Sequence, residues 1–158
     1  MARQWGSGDF IRMRTCLAAI DFSAISPKVI ECAAQLATAT AARLEILHVI
    51  ELPPLREPGS SFIVHSAMMD PLELKSIEGR LEQIAEPLRK KGLSVETMVT
   101  VGVPSDEILK EATSQDAAML ILGSHGHGAL LQLFAGSVVT AVLRQAEIPV
   151  TVVPIHGN

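Results

Sequence analysis

Gly123-Ser124-His125-Gly126-His127-Gly128 precedes a run of mostly apolar residues that ends at Gly136-Ser137. Glycines in such a turn let backbone N–H groups close on an anion, because no Cβ holds the ligand away. Gly136-Ser137 reads as a helix start, where free N–H groups and the helix dipole favour a phosphate. The Ser137 hydroxyl can add a bond to a phosphate oxygen or to a metal-bound water. The same residues could instead make a tight turn and a helix cap, and the glycines alone do not decide. Asp21 is the second candidate: it ends an apolar run, and its place there favours a ligand contact over a cap.

Other chemistries fit the chain less well. His125 and His127 are two residues apart with no third ligand near them, a weak metal pair. His48 lies in an apolar stretch and reads as a hydrogen-bonded core histidine. Cys16 and Cys32 sit among apolar residues and read as small buried hydrophobes, not as a disulfide framework or a zinc site. No Ser-His-Asp or Cys-His arrangement follows from spacing, and Ser137 has no evident base. From residue 117 onward the only charged side chains are Arg144 and Glu147. Phosphoryl transfer needs cations beside the moving charge, so this segment suits holding a phosphate, not cleaving one.

Two phosphate signatures are absent. The only neighbouring lysine and glycine, Lys91-Gly92, stand in the reverse of the Walker order and at a helix end. A dinucleotide fingerprint beginning at Gly126 and Gly128 would need glycine at 131, which is Leu131.

The elements that must position these residues alternate. Strands are predicted at Thr15 to Ile20, Leu44 to Ile50, Ser94 to Val101, Ala117 to Leu122 and Pro149 to Val153. Leu44 to Ile50 is apolar except where Glu45 and His48 interrupt it. Ser26-Pro27 reads as a cap and first turn, opening a helix that buries Val29, Ile30, Ala33, Ala34, Leu36, Ala37 and Ala41. Leu74, Ile77, Leu81, Ile84 and Leu88 form one helical face, with Pro87 expected to kink or restart its last turn and Gly92 to end it. Gly102-Val103-Pro104 leads into a short helix, and Gly136-Ser137 into the last one. Between them, Pro53, Pro54, Pro58 and Gly59 mark a long connection to about Asp70, read as a lid or a partly disordered segment. Met68-Met69 within it read as a hydrophobic latch over the crevice or against a partner.

Helices between apolar strands imply a parallel sheet covered on both faces. The expected fold class is α/β: an open five-stranded parallel sheet with helices on both faces. Ligands of such sheets bind beyond the C-terminal strand ends, where the order reverses. Asp21 and Gly123 would both face that crevice if the first and fourth strands are neighbours.

The 158 residues suit one domain, expected over 14–158, with residues 1–13 as a loose extension. Apolar residues make up 48% and charged residues 19%, which rules out disorder over most of the length. Aromatic residues are 3%, with no Tyr, too few for a base-stacking surface. The formal charge of -4 argues against a partner held by nucleic-acid phosphates. No secretory signal and no apolar run of about 18 residues is seen, so no membrane span is expected and a cytoplasmic setting is.

Gly123, two residues, Gly126, nine residues, Gly136 and Ser137 together resemble the nucleotide-binding signature of the universal stress protein family. Asp21-Phe22-Ser23, Leu47-His48-Val49, Gly102-Val103-Pro104 and the Pro149 to Pro154 strand match its other landmarks, so the resemblance spans about residues 14–154. It implies a Rossmann-like, adenine nucleotide alpha-hydrolase-like fold with strand order 3-2-1-4-5, an ATP-binding subclass, ATP with Mg2+ or Mn2+, and a homodimer. Pro149 to Val153, apolar on both faces and last in the sequence, is the expected sheet edge through which the dimer (149–153) forms. By the same resemblance Asp21 would meet the nucleoside, Ala19 and Ile20 the adenine side, and Val49 the adenine pocket. Leu122, Gly123 and Gly126 would form the near wall, with the Gly126 and His127 backbone by the phosphates. Gly136, Ser137 and Val138 would hold the phosphate tail. Ala19-Ile20 departs from the Pro-Thr pair often found there in the family.

The sequence supports three functional readings. The preferred one is an ATP-binding regulatory or stress-response module with an unidentified protein partner. The second is a nucleotide-free dimeric scaffold. The third, an adenine-nucleotide-using enzyme, needs a catalytic base that the sequence does not offer.

Overall fold

Cys16 to Ala19 is apolar at every position, so neither face of the strand suits water. Strand β1 (Thr15–Ala19) accordingly lies in the middle of the sheet, with Cys16, Leu17 and Ala18 fully buried. The computed structural model describes residues 15–51, 70–124 and 137–155. Next along the chain come α1 (Ser26–Thr40), β2 (Arg43–Glu51), α2 (Pro71–Lys90), β3 (Val95–Gly102), α3 (Pro104–Ser114), β4 (Met119–Ser124), α4 (Ser137–Gln145) and β5 (Val150–Pro154). The strands pair in parallel in the order β3-β2-β1-β4-β5, as expected. The expectations for residues 1–13, the connection with Met68 and Met69, and His125, Gly126, His127, Gly128 and Gly136 lie outside the described residues.

Alternate residues of the inner strands feed two cores. Cys16, Ala18, Leu44, Ile46 and Ile121 pack against Val29, Ala33 and Ala37 of α1 and Leu81 and Ala85 of α2. Leu17, Leu47, Leu120 and Leu122 pack against Ile108 and Ala112 of α3 and Val139 and Val142 of α4. A strand covered on both faces must be apolar at every position, which is why these strands read as continuous runs.

Local chemistry departs from the sequence reading in three places. Of the residues expected to be buried by α1, Ala34 and Leu36 are only half-buried at the margin of the core, and Ala41 is exposed because the helix ends at Thr40 and Ala41 turns left-handed at φ +52. Ser26 does not cap α1: the cap position is Ile25, in a helical conformation without a side-chain bond, and Ser26 is already inside the first turn. Its hydroxyl instead donates to Asp21 Oδ1 at 3.3 Å. Helix α2 also runs through Pro87 to Lys90. Its last turn is pinned from the side, since Arg89 Nε donates to the Val95 carbonyl at 2.7 Å and its guanidinium pairs with Glu82. Gly92, at φ +89, then turns the chain toward β3, a left-handed conformation that costs glycine nothing. Asp70 caps α2 as its side chain accepts from Leu72 N–H at 2.9 Å, with Pro71 in the first turn.

The strands end at different heights. β1 ends at Ala19, beside Leu47 of β2 and Leu122 of β4. β2 continues from there to Glu51, paired with β3, and β4 continues to Ser124, paired with β5. The central strand is therefore the short one, and a notch opens beyond its end.

Candidate functional site

The notch is a cleft of about 290 Å3 at the C-terminal strand ends. It lies between β1 and β4, where the strand order reverses, which is where open α/β sheets take their ligands. Ala19, Ile20, Val49 and Leu122 form an apolar floor, with Gly123 beside them on β4. Asp21 stands at the rim on one side, and Ser137 and Val138 at the start of α4 on the other. Eight of the predicted positions thus converge on one cleft: Ala19, Ile20, Asp21, Val49, Leu122, Gly123, Ser137 and Val138. Gly126, His127 and Gly136 are outside the described residues.

Asp21 combines the two roles that the sequence left open. Its Oδ1 accepts from Ser23 N–H at 3.0 Å and from the Ser26 hydroxyl at 3.3 Å, which organises the entry to α1. The residue is nevertheless exposed and lines the cleft. Phe22, next to it, has φ +59, a left-handed conformation that costs a non-glycine residue on the order of 1 kcal/mol. His48 matches its expectation: it is half-buried, and its Nδ1 lies 2.9 Å from the Ile20 carbonyl.

Sequence reasoning missed the walls. Ile25 and Val29 enter from α1, Pro104 and Ile108 from α3, and Val139 from α4. Glu51, at the end of β2, adds a second carboxylate. Helical periodicity marks Val29 and Ile108 as buried but not which end of the sheet they cover. The Gly102-Val103-Pro104 turn was visible, and only the neighbouring strand ends show that Pro104 faces the cleft.

Gly123 has a packing reason for its lack of a side chain. A Cβ there would lie 2.7 Å from Ile25 Cγ2 and 3.1 Å from Val29 Cγ2. The start of α1 therefore presses directly on the strand end. Among the described residues, no group of three His, Cys, Asp or Glu side chains could hold a metal ion. No described helix is long and apolar enough to cross a membrane.

Known proteins share this arrangement. The model of the universal stress protein family matches residues 13–154. Universal stress protein YxiE of Bacillus subtilis is 32% identical over 146 residues, covering 87% of this chain and 96% of YxiE. The solved structure of MJ0577, from Methanocaldococcus jannaschii, superposes with a TM-score of 0.69 at 26% identity, covering 94% of this chain and all of that one. A universal stress protein from Archaeoglobus fulgidus, solved in complex with dAMP, shares the fold at a TM-score of 0.63 and 21% identity, over 89% and 96% of the two chains. With the family model spanning all five strands and a full-length relative of this similarity, the chain belongs to the universal stress protein family.

Proposed function

We propose that the cleft binds an adenine nucleotide, ATP in the first instance, and that its occupancy biases contacts with a protein partner. The carrying observation is the convergence of Asp21, Val49, Leu122, Gly123 and Ser137 on one notch at the strand-order reversal. The apolar floor suits a purine, while the carboxylates of Asp21 and Glu51 suit hydroxyl or amine donors of a nucleoside. The N-terminal end of α4, whose dipole favours an anion, and the Ser137 hydroxyl suit a phosphate. The dAMP held by a chain of the same fold adds support.

The cleft fits the nucleotide better than it fits a metal of its own. Any Mg2+ or Mn2+ would be held chiefly through the nucleotide, with the Ser137 hydroxyl as the lining group on the phosphate side. The described lining contains no lysine or arginine to neutralise a transferring phosphoryl group. We therefore read the site as one that holds ATP without rapid turnover.

Thermal unfolding with and without ligand tests this directly. At about 100 times Kd, binding adds roughly 2.7 kcal/mol to stability. At about 2–4 °C per kcal/mol, ATP with magnesium should raise Tm by roughly 5–10 °C. Ser137→Ala should remove about 1 kcal/mol of this, the worth of one hydrogen bond. No shift with ATP, AMP or cyclic AMP at millimolar concentration would leave the nucleotide-free scaffold as the better reading.

The proposal includes a homodimer through β5. Among the described residues this strand pairs only with β4, its residues are Val, Thr and Pro, and none of them is buried. Such an edge offers unpaired N–H and C=O groups to a second copy. Val152→Lys should give a monomer in light scattering, whereas an unchanged dimer mass would place the interface elsewhere.

A further inference from the structure

The turn that carries Asp21 into the cleft is held by residues that do not line the cleft. Ile20 N–H donates to the Leu47 carbonyl at 2.9 Å, one step beyond the end of β1. The Ile20 carbonyl faces His48 Nδ1 at 2.9 Å. A carbonyl only accepts, so Nδ1 carries the proton there. Phe22 follows at φ +59, a conformation that bulky side chains avoid. Its ring centroid lies 4.6 Å from that of His48, tilted by 45°. On the ring sits the guanidinium of Arg80, from the exposed face of α2, with Cζ 3.8 Å from the centroid.

A turn that needed only a left-handed residue would be met at lowest cost by glycine. A phenylalanine in that conformation is explained by what its ring touches. We propose that His48, Phe22 and Arg80 are positioning residues: their stack clamps residues 20–23, fixes where Asp21 stands in the cleft, and ties α2 to the site. None of the three lines the cleft themselves. The clamp concerns the turn itself, and only its effect on affinity rests on the nucleotide-binding reading above.

Three variants separate the clamp from general stability. Arg80→Met keeps an exposed, flexible chain and removes the charge above the ring. His48→Leu removes the bond to Ile20, and His48→Asn puts an amide nitrogen where Nδ1 stands. Amide exchange at Ile20 and Ser26 and calorimetric titration with ATP and magnesium are measured on each, with nitrogen NMR of the wild-type imidazole. The proposal expects the Nδ1–H form at pH 8. It expects exchange at least fivefold faster and ATP about three- to tenfold weaker in Arg80→Met and His48→Leu. His48→Asn should recover at least half of the His48→Leu loss in both. An Nε2–H imidazole, unchanged exchange in Arg80→Met, or unchanged ATP affinity in both variants beside a wild type that binds would overturn it. If wild type binds no nucleotide, the binding reading fails on its own, and the exchange rates alone decide whether the stack holds the turn.

Discussion

Glu45→Gln should make the protein more stable at pH 8 by up to about 3 kcal/mol while changing little at pH 4. Glu45 is 1% exposed, it lies in β2 beside Leu17 of the central strand, and neither carboxylate oxygen has a hydrogen-bond partner. Burial pushes its pKa from 4.5 to about 7; Arg43 opposes the shift, and Glu111 of α3 and Glu96 of β3 add to it. The Arg43 guanidinium is engaged elsewhere, with Glu96, the Thr15 hydroxyl and Gln115. A carboxyl that holds its proton more tightly when folded stabilises the fold less as pH rises. The loss begins near pH 4.5, where the unfolded chain ionises, and is complete above about pH 7. A shift of this size corresponds to about 3 kcal/mol. Denaturant midpoints of wild type and variant between pH 4 and 8.5 measure it as a difference. The subtraction cancels other groups, such as Glu82, which bonds from Arg89 and Thr97 hold below the usual carboxylate range. Parallel curves over the whole range would show that Glu45 is ionised, and solvated, in the folded protein.

Gly123→Ala should cost about 1–3 kcal/mol, the usual penalty for one methyl too many in a packed site. The new Cβ would meet Ile25 Cγ2 at 2.7 Å, and that methyl belongs to a branched side chain that is 2% exposed. Val29, 1% exposed, closes the other direction at 3.1 Å. Branched side chains have few rotamers to retreat into, so the start of α1 must move. Because Ile25 and Val29 also wall the cleft, ATP affinity should fall together with stability. Ile25→Ala removes the methyl that obstructs the new Cβ. The double variant should therefore be at least about 1 kcal/mol more stable than the two single losses predict. Urea unfolding of the four proteins gives the answer, and strict additivity would mean that the clash is not the cause.

Particular residues show how far the sequence could be read. The central strands were legible because burial on both faces forces nearly unbroken apolar runs, as in Cys16-Leu17-Ala18 and Leu120-Ile121-Leu122, β3 through its apolar-polar alternation, and the helices through their one-faced periods and start signals. The spacing from Gly123 to Ser137 marked the βα turn, Asp21 was legible as a carboxylate ending the first apolar run, and Val49 joined them through the family resemblance. Boundaries moved by one or two residues, since the last residue of a strand is set by its neighbour's register, as at Ala19 beside Leu47 and Leu122.

What the amino-acid sequence determined by itself was the alternation of elements and the kind of residue placed at each strand end. Both depend on properties within reach of a few neighbours along the chain: side-chain period, turn chemistry and helix starts. Tertiary structure alone decided that β1 stops short of β2 and β4, so that a notch forms. It also laid Arg80 on the Phe22 ring and closed α3 over Glu45, which in sequence only interrupts a strand. Each of these needs two segments far apart in the chain to meet at a set depth and angle. That placement comes from packing helices on both faces of a twisted sheet, and no local pattern encodes it.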